Sequence, residues 1–257
     1  VLARAGAQID YLAIHHYYGL SEAKNEYANL MARPLFYERF YRDVGRAIAE
    51  LAPGRDIRLI INEWNTSLPV PRQHSMESAL YGSRLMNVFE RSGDLVEMSA
   101  VSDLVNGWSG GIIQASRHDV FVTPTYLAIR LYNEHLGGER LAARVSSPTF
   151  DSSLEGTQIP VLDVVASRST DGRQLFVKAV NTSRDRALTT MVTVAGASVG
   201  ATGTLQTLAG DSPAAANSFR TPNAVTVRTT PVRSSRTFAV QLPPQSVSVL
   251  TLPLAVP

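Results

Sequence analysis

At 257 residues, with 44% hydrophobic and 18% charged residues, the chain has material for one large domain or two modest ones. Lys plus Arg exceed Asp plus Glu by two (24 against 22) and are scattered, so no basic face points to nucleic acid. The absence of cysteine excludes disulfides, thiolate metal sites and cysteine nucleophiles, and no apolar run approaches the roughly 20 residues of a membrane-spanning helix.

The chain starts Val1-Leu2-Ala3-Arg4 with no initiator Met or targeting pattern, which reads as a processed or truncated start. Ile9 to His16 reads as a buried strand ending in His15, His16, Tyr17, Tyr18 and Gly19. From Pro34 to Leu51 the residues Phe36, Phe40, Val44, Ile48 and Leu51 recur at helical spacing, and Gly54 closes that region. Ile57 to Ile61 is a second, continuous apolar strand. Ser75 opens a further helix, with Leu80, Leu85, Val88 and Phe89 inward and Gly93 just past its end.

Leu95 to Val105 contains a third strand. Thr123-Pro124 predicts an N-cap followed by proline at the first helical position, with Gly137 as C-cap. Three strand–helix units predict a parallel sheet or barrel, yet are too few to close eight strands. Helical periodicity then stops near Gly137 and Gly138.

Beyond it, short alternating strands predict an antiparallel β-sandwich. Val161 to Ser167 and Gln174 to Val180 flank Asp171-Gly172, a favoured two-residue turn. Leu188 to Val194, Ala224 to Arg228, Thr237 to Gln241 and Ser246 to Leu252 continue the series.

Barrel chemistry sits where strands end. The second strand ends Asn62-Glu63-Trp64-Asn65, placing a carboxylate beside an indole. The carboxylate could attack an anomeric carbon and the indole could pack on a sugar's C–H face. The bland readings are a solvated Glu63 and a core Trp64. Adjacent His15 and His16 point to opposite faces of a strand and cannot share one metal. Ser109-Gly110-Gly111 lacks the nucleophile-elbow pattern and reads as a loop.

The run Asp10 to Gly19 (His15-His16-Tyr17-Tyr18), followed by Glu63-Trp64-Asn65, resembles glycoside hydrolase family 51, the α-L-arabinofuranosidases. Leu104-Val105-Asn106 resembles that family's eighth strand, and Thr123 to Gly137 its closing helix. Leu208 to Asp211, Ala216 to Phe219 and Leu242 to Leu250 resemble its sandwich signature.

The resemblance implies the last three strand–helix units of a (β/α)8 barrel in residues 1–138, and a β-sandwich in 139–257. It implies Glu63 as nucleophile, Tyr17 or Tyr18 orienting it, and His15, Trp64 and Asn65 supporting or contacting substrate. The implied substrate is arabinose-containing oligo- or polysaccharide, hydrolysed with retention. No metal or organic cofactor, nucleic acid or membrane partner is implied, and homo-oligomerisation of the full-length protein is left open. The acid/base carboxylate should lie upstream of Val1, so these residues alone should lack acid-assisted activity. Two alternatives stay open: another clan member, glucanase or xylanase, and a non-catalytic sandwich module.

Overall fold

The computed structural model describes residues 1–19 and 26–255. A short N-terminal helix α1 (Leu2–Ala5) precedes strand β1 (Tyr11–Gly19), helix α2 (Glu26–Leu51), strand β2 (Arg58–Ser67), helix α3 (Met76–Arg91) and strand β3 (Val96–Val101). The three strands form a parallel sheet in the order β1-β2-β3. Parallel neighbours need long crossovers, and α2 and α3 supply them. Ser75 caps α3 by accepting from Glu77 N–H, as its position predicts.

The strands β4 (Ile113–Ala115) and β5 (Val120–Val122) make a small hairpin before helix α4 (Pro124–Asn133). Thr123 caps α4 by accepting from Tyr126 N–H, with Pro124 at the first helical position. Gly137 is not its C-cap, because the helix stops at Asn133 with Glu134 in the cap position. Gly137 instead lets the backbone pass close to the sandwich: a Cβ there would lie 2.3 Å from Ser167 Cβ.

The second half holds β6 (Glu139–Leu141), β7 (Thr149–Ser152), β8 (Gly156–Pro160), β9 (Leu162–Arg168), β10 (Gln174–Asn181), β11 (Leu188–Thr193), β12 (Thr202–Ala209), β13 (Val227–Arg233), β14 (Thr237–Leu242) and β15 (Ser246–Pro253). A six-stranded sheet has the order β13-β12-β15-β10-β9-β6, and β11 pairs with β14 separately. Phe238, Val240 and Leu242 of the pair pack with Leu162, Leu175, Leu205 and Leu250 of the larger sheet. This is the antiparallel β-sandwich expected from the alternation. The β9–β10 turn is wider than the predicted two residues, being closed by Ser169 and Gln174, with Gly172 at φ 72°.

The other face of the six-stranded sheet covers the helices. Val180, Leu208 and Val247 join Leu30, Tyr41, Leu80, Leu85 and Tyr132 in one core. Helix α3 therefore has sheet on two sides and helices on others, and every residue from Met76 to Phe89 is buried. In α2 the buried face is Leu30, Pro34, Tyr37, Tyr41 and Ile48, rotated from the Phe36–Phe40–Val44 face that spacing suggested. Phe36 lies at the flank, where the Arg33 guanidinium sits 3.9 Å from its ring centroid.

Candidate active site

Strand alternation sorts the strand-end residues onto two faces. In β1, His16 is buried against α2, with its ring centroid 3.9 Å from Tyr37 and 5.4 Å from Tyr41. Tyr18 shares that face and stacks on Tyr81, centroids 6.3 Å apart. Tyr11, Ala13, His15 and Tyr17 line the other face, which is open. The β1–β2 register sets His15 beside Glu63 and Tyr17 beside Asn65.

Three predicted residues meet on the open face. The Tyr17 hydroxyl donates to Glu63 Oε2 at 2.7 Å, and His15 Nδ1 stands 3.5 Å from the same oxygen. Of the two tyrosines, it is Tyr17 that reaches the carboxylate. The carboxylate remains accessible, its side chain 42% exposed. Partial burial raises the Tyr17 pKa, and the carboxylates of Glu63 and Asp103 add to this against a hydrogen bond from Ser102. Tyr17 thus stays a neutral phenol, able to donate, across the ordinary pH range.

Trp64 and Asn65 lie elsewhere. Trp64 projects to the helix face, is 2% exposed, and meets Phe89 edge-on at 5.9 Å. Gly82 of α3 makes room for it, since a Cβ there would lie 3.1 Å from Trp64 Cζ3. The expected indole–sugar contact is therefore closed to Trp64, because strand alternation turns it away from Glu63.

Asn65 is buried under a loop. Its Nδ2 donates to Ser102 O at 2.6 Å and Gly110 O at 2.9 Å. Its Oδ1 accepts from Thr66 N at 2.8 Å and Gln73 Nε2 at 3.0 Å. Asn65 supports the site by tying the end of β2 to the segment after β3. That segment leaves the sheet at Val101, so Leu104-Val105-Asn106 lies past the strand it was expected to form and pairs instead with Ile113.

Asp103 and Trp108 also stand beside Tyr17, the latter edge-on at 5.9 Å. Sequence reasoning left both without a role. The glycines around Trp108 signalled only a loop, and nothing local reveals which strand end a loop covers. His74 anchors that loop, its Nε2 lying 2.8 Å from Ser109 O.

A carboxylate in the C-terminal half of a parallel strand, hydrogen-bonded by a phenol and flanked by an imidazole, thus stands on the open face of a strand–helix unit whose helices are backed by an antiparallel sandwich. The family model of the alpha-L-arabinofuranosidase C-terminal domain matches residues 62–246. The chain belongs to this family, as a C-terminal portion of the family 51 arabinofuranosidase architecture that its motifs resemble.

It is 26% identical over 213 residues to an intracellular exo-α-(1→5)-L-arabinofuranosidase of Bacillus subtilis, covering 72% of this chain and 41% of that protein. The arabinose-complexed α-L-arabinofuranosidase of Thermotoga maritima aligns with a TM-score of 0.87 at 24% identity, over 99% of this chain and 55% of that one. The family 51 enzyme of Thermotoga petrophila aligns with a TM-score of 0.86 at 25% identity, over 98% and 54%. The chain thus spans about half the length of these relatives.

Proposed function

We propose that residues 1–138 are the C-terminal part of a (β/α)8 barrel, residues 139–257 its sandwich, and Glu63 the nucleophile of a retaining α-L-arabinofuranosidase. The observation that carries this is the Tyr17–Glu63 hydrogen bond on the open face of β2. A parallel sheet is ordinarily covered on both faces, and here one face, which carries the ordered carboxylate, is bare. Further barrel strands would enclose it.

In this reading Glu63 attacks the anomeric carbon of a terminal arabinofuranosyl unit. A second carboxylic acid, supplied from outside these residues and about 5 Å away, protonates the departing oxygen. The covalent furanosyl ester to Glu63 is then hydrolysed, with the second carboxylate taking a proton from water. Tyr17 holds Glu63 in line, His15 completes its polar surround, and Asn65 fixes the strand end. The substrates would be arabinose-bearing plant polysaccharides and their oligosaccharides.

The test uses the protein at its native length, defined by intact mass and N-terminal sequencing. Glu63→Ala should reduce hydrolysis of nitrophenyl α-L-arabinofuranoside by about 10⁴-fold, the scale of losing a nucleophile. Retained activity in Glu63→Ala would overturn the assignment. Preferential turnover of nitrophenyl xyloside or cellulose by the wild type would move the substrate to another sugar.

A further inference from the structure

The loop joining β3 to β4 carries Trp108, whose ring lies over Gly110 and beside Tyr17. Asn106 and Gly107 have φ of 46° and 66°, reversing the chain. The Asn106 side chain braces the loop base, accepting from Ala115 N at 2.8 Å and donating to Ala115 O at 3.1 Å. Asn65 and His74 hold the carbonyls of Gly110 and Ser109, and Gln114 Nε2 donates to Gly111 O at 2.7 Å.

The glycines are steric necessities here. A Cβ on Gly107 would lie 2.3 Å from Asp103 Oδ2, and one on Gly110 would lie 2.2 Å from Trp108 Cζ2. The loop is thus shaped around Trp108. Trp108 is 36% exposed, while Trp64 is 2% exposed. Trp108 touches Tyr17 edge-on at 67°, and Tyr17 in turn holds Glu63.

A loop braced at its base and tip, and folded around an indole that stands edge-on to the tyrosine holding Glu63, sets that ring within reach of whatever Glu63 engages. We propose that Trp108 is a specificity-determining residue whose indole takes the apolar C–H face of a sugar ring engaged at Glu63. This rests on the reading of Glu63 as a glycosidase carboxylate. Ring stacking of this kind supplies affinity through buried apolar area, and the polar edge of the sugar is left to hydrogen-bonding groups.

The experiment observes the indole directly. Glu63→Gln protein of native length, labelled with ¹⁵N-tryptophan, is titrated with methyl α-L-arabinofuranoside and separately with an arabino-oligosaccharide, with calorimetry in parallel. The Trp108 indole signal is assigned by its absence in Trp108→Phe. It should move saturably with the calorimetric isotherm while the Trp64 signal stays in place. Movement with both ligands puts the indole on the terminal unit; movement with the oligosaccharide alone puts it on the leaving-group side. Trp108→Ala should weaken binding about tenfold, and Trp108→Phe by less.

In protein with Glu63 intact, Trp108→Ala should raise KM with kcat held within a few-fold. A loss of thermal stability with unchanged KM would mark Trp108 as packing for Tyr17 and overturn the proposal. No saturable sugar binding, or saturation with a static Trp108 signal, would also overturn it. The two readings fail separately. Hydrolysis surviving in Glu63→Gln removes the nucleophile assignment, and an unchanged KM in Trp108→Ala removes this one alone.

Discussion

His15 and His16 are neighbours in sequence with opposite fates, as strand alternation requires. His15 faces Glu63, whereas His16 lies under α2 among Tyr37, Phe40 and Tyr41, and its Nε2 meets no hydrogen-bond partner among the described residues. Burial, reinforced by the Arg33 charge and partly offset by a hydrogen bond with the His15 backbone, lowers the His16 pKa to about 4. The unfolded chain binds that proton near pH 6.5 and the folded chain only near pH 4, so stability falls as pH drops through this window. The loss should reach about 3 kcal/mol at its acid end. His16→Phe should flatten the dependence while matching wild-type stability at pH 7, as read by urea unfolding at a series of pH values. An equally steep acid limb in His16→Phe would show that another group is responsible. On the open face, Tyr17→Phe removes the donor to Glu63 Oε2 without altering ring packing. At this accessible site it should lower kcat/KM about tenfold, near 1.4 kcal/mol. Steady-state kinetics on the aryl arabinofuranoside decides, and an unchanged kcat/KM would remove Tyr17 from the mechanism. That Glu63 and a tyrosine of the β1 end would stand near one another was legible because strand ends can be read locally, whereas the choice of Tyr17 over Tyr18 came only with the strand's facing. Trp108 was not legible, since its place beside Tyr17 depends on a loop folded across two other elements.

Helix α3 shows why some elements are easier to read than their surroundings. Its start was marked by Ser75 and its length by periodicity, but its full burial was not, because Glu77, Ser78, Ser83, Arg84 and Asn87 look like a solvent face. Each of these meets a specific partner instead. Glu77 binds Arg72 at 2.8 Å, Ser78 shares a hydrogen bond with Thr66 at 2.8 Å, and Asn87 accepts from Tyr132 at 2.7 Å. The first-turn N–H groups of Met76 and Glu77 donate to Ala215 and Pro213, both 2.9 Å away on a sandwich loop. The strand β12, second from the edge of the six-stranded sheet, also escaped notice, since its Thr-Gly-Thr start lacks the apolar alternation that marked β9, β10 and β15. At this scale the Asn65 clamp is the most sensitive connection. Asn65→Ala strips partners from buried groups of both β2 and the β3–β4 loop, and should cost about 3 kcal/mol. Thermal unfolding would show the loss, and a change under about 1 kcal/mol would mean the freed groups find other partners.

The two halves differ in grammar yet share charges as well as a core. Arg84 of α3 is fully buried; its Nε lies 3.5 Å from Asp163 Oδ2 of β9, and its Nη2 donates to Pro160 O at 3.3 Å. Burial lowers the Arg84 pKa, partly offset by Asp163. Arg91 binds the same carboxylate at 2.7 Å and also Glu38 of α2 at 3.0 Å. Burial opposes its charge too, but Asp163 and Glu38 outweigh this and raise its pKa. Asp163 therefore neutralises two guanidiniums from the strand–helix half at once. Asp163→Ala should cost about 3–5 kcal/mol, because Arg84 would be left buried without its counter-charge. Adding Arg84→Met should recover most of that loss, since Arg91 keeps Glu38 and methionine fills the vacated volume. Because the carboxylate ties the halves together, wild-type denaturation should be a single transition. Tryptophan fluorescence reports only the first half, there being no Trp or Tyr after residue 137, and far-UV circular dichroism weighs the sandwich strands. The two curves should coincide in the wild type and in the double variant, and separate in Asp163→Ala. If they separate already in the wild type, the halves unfold independently and Asp163 contributes only local stability.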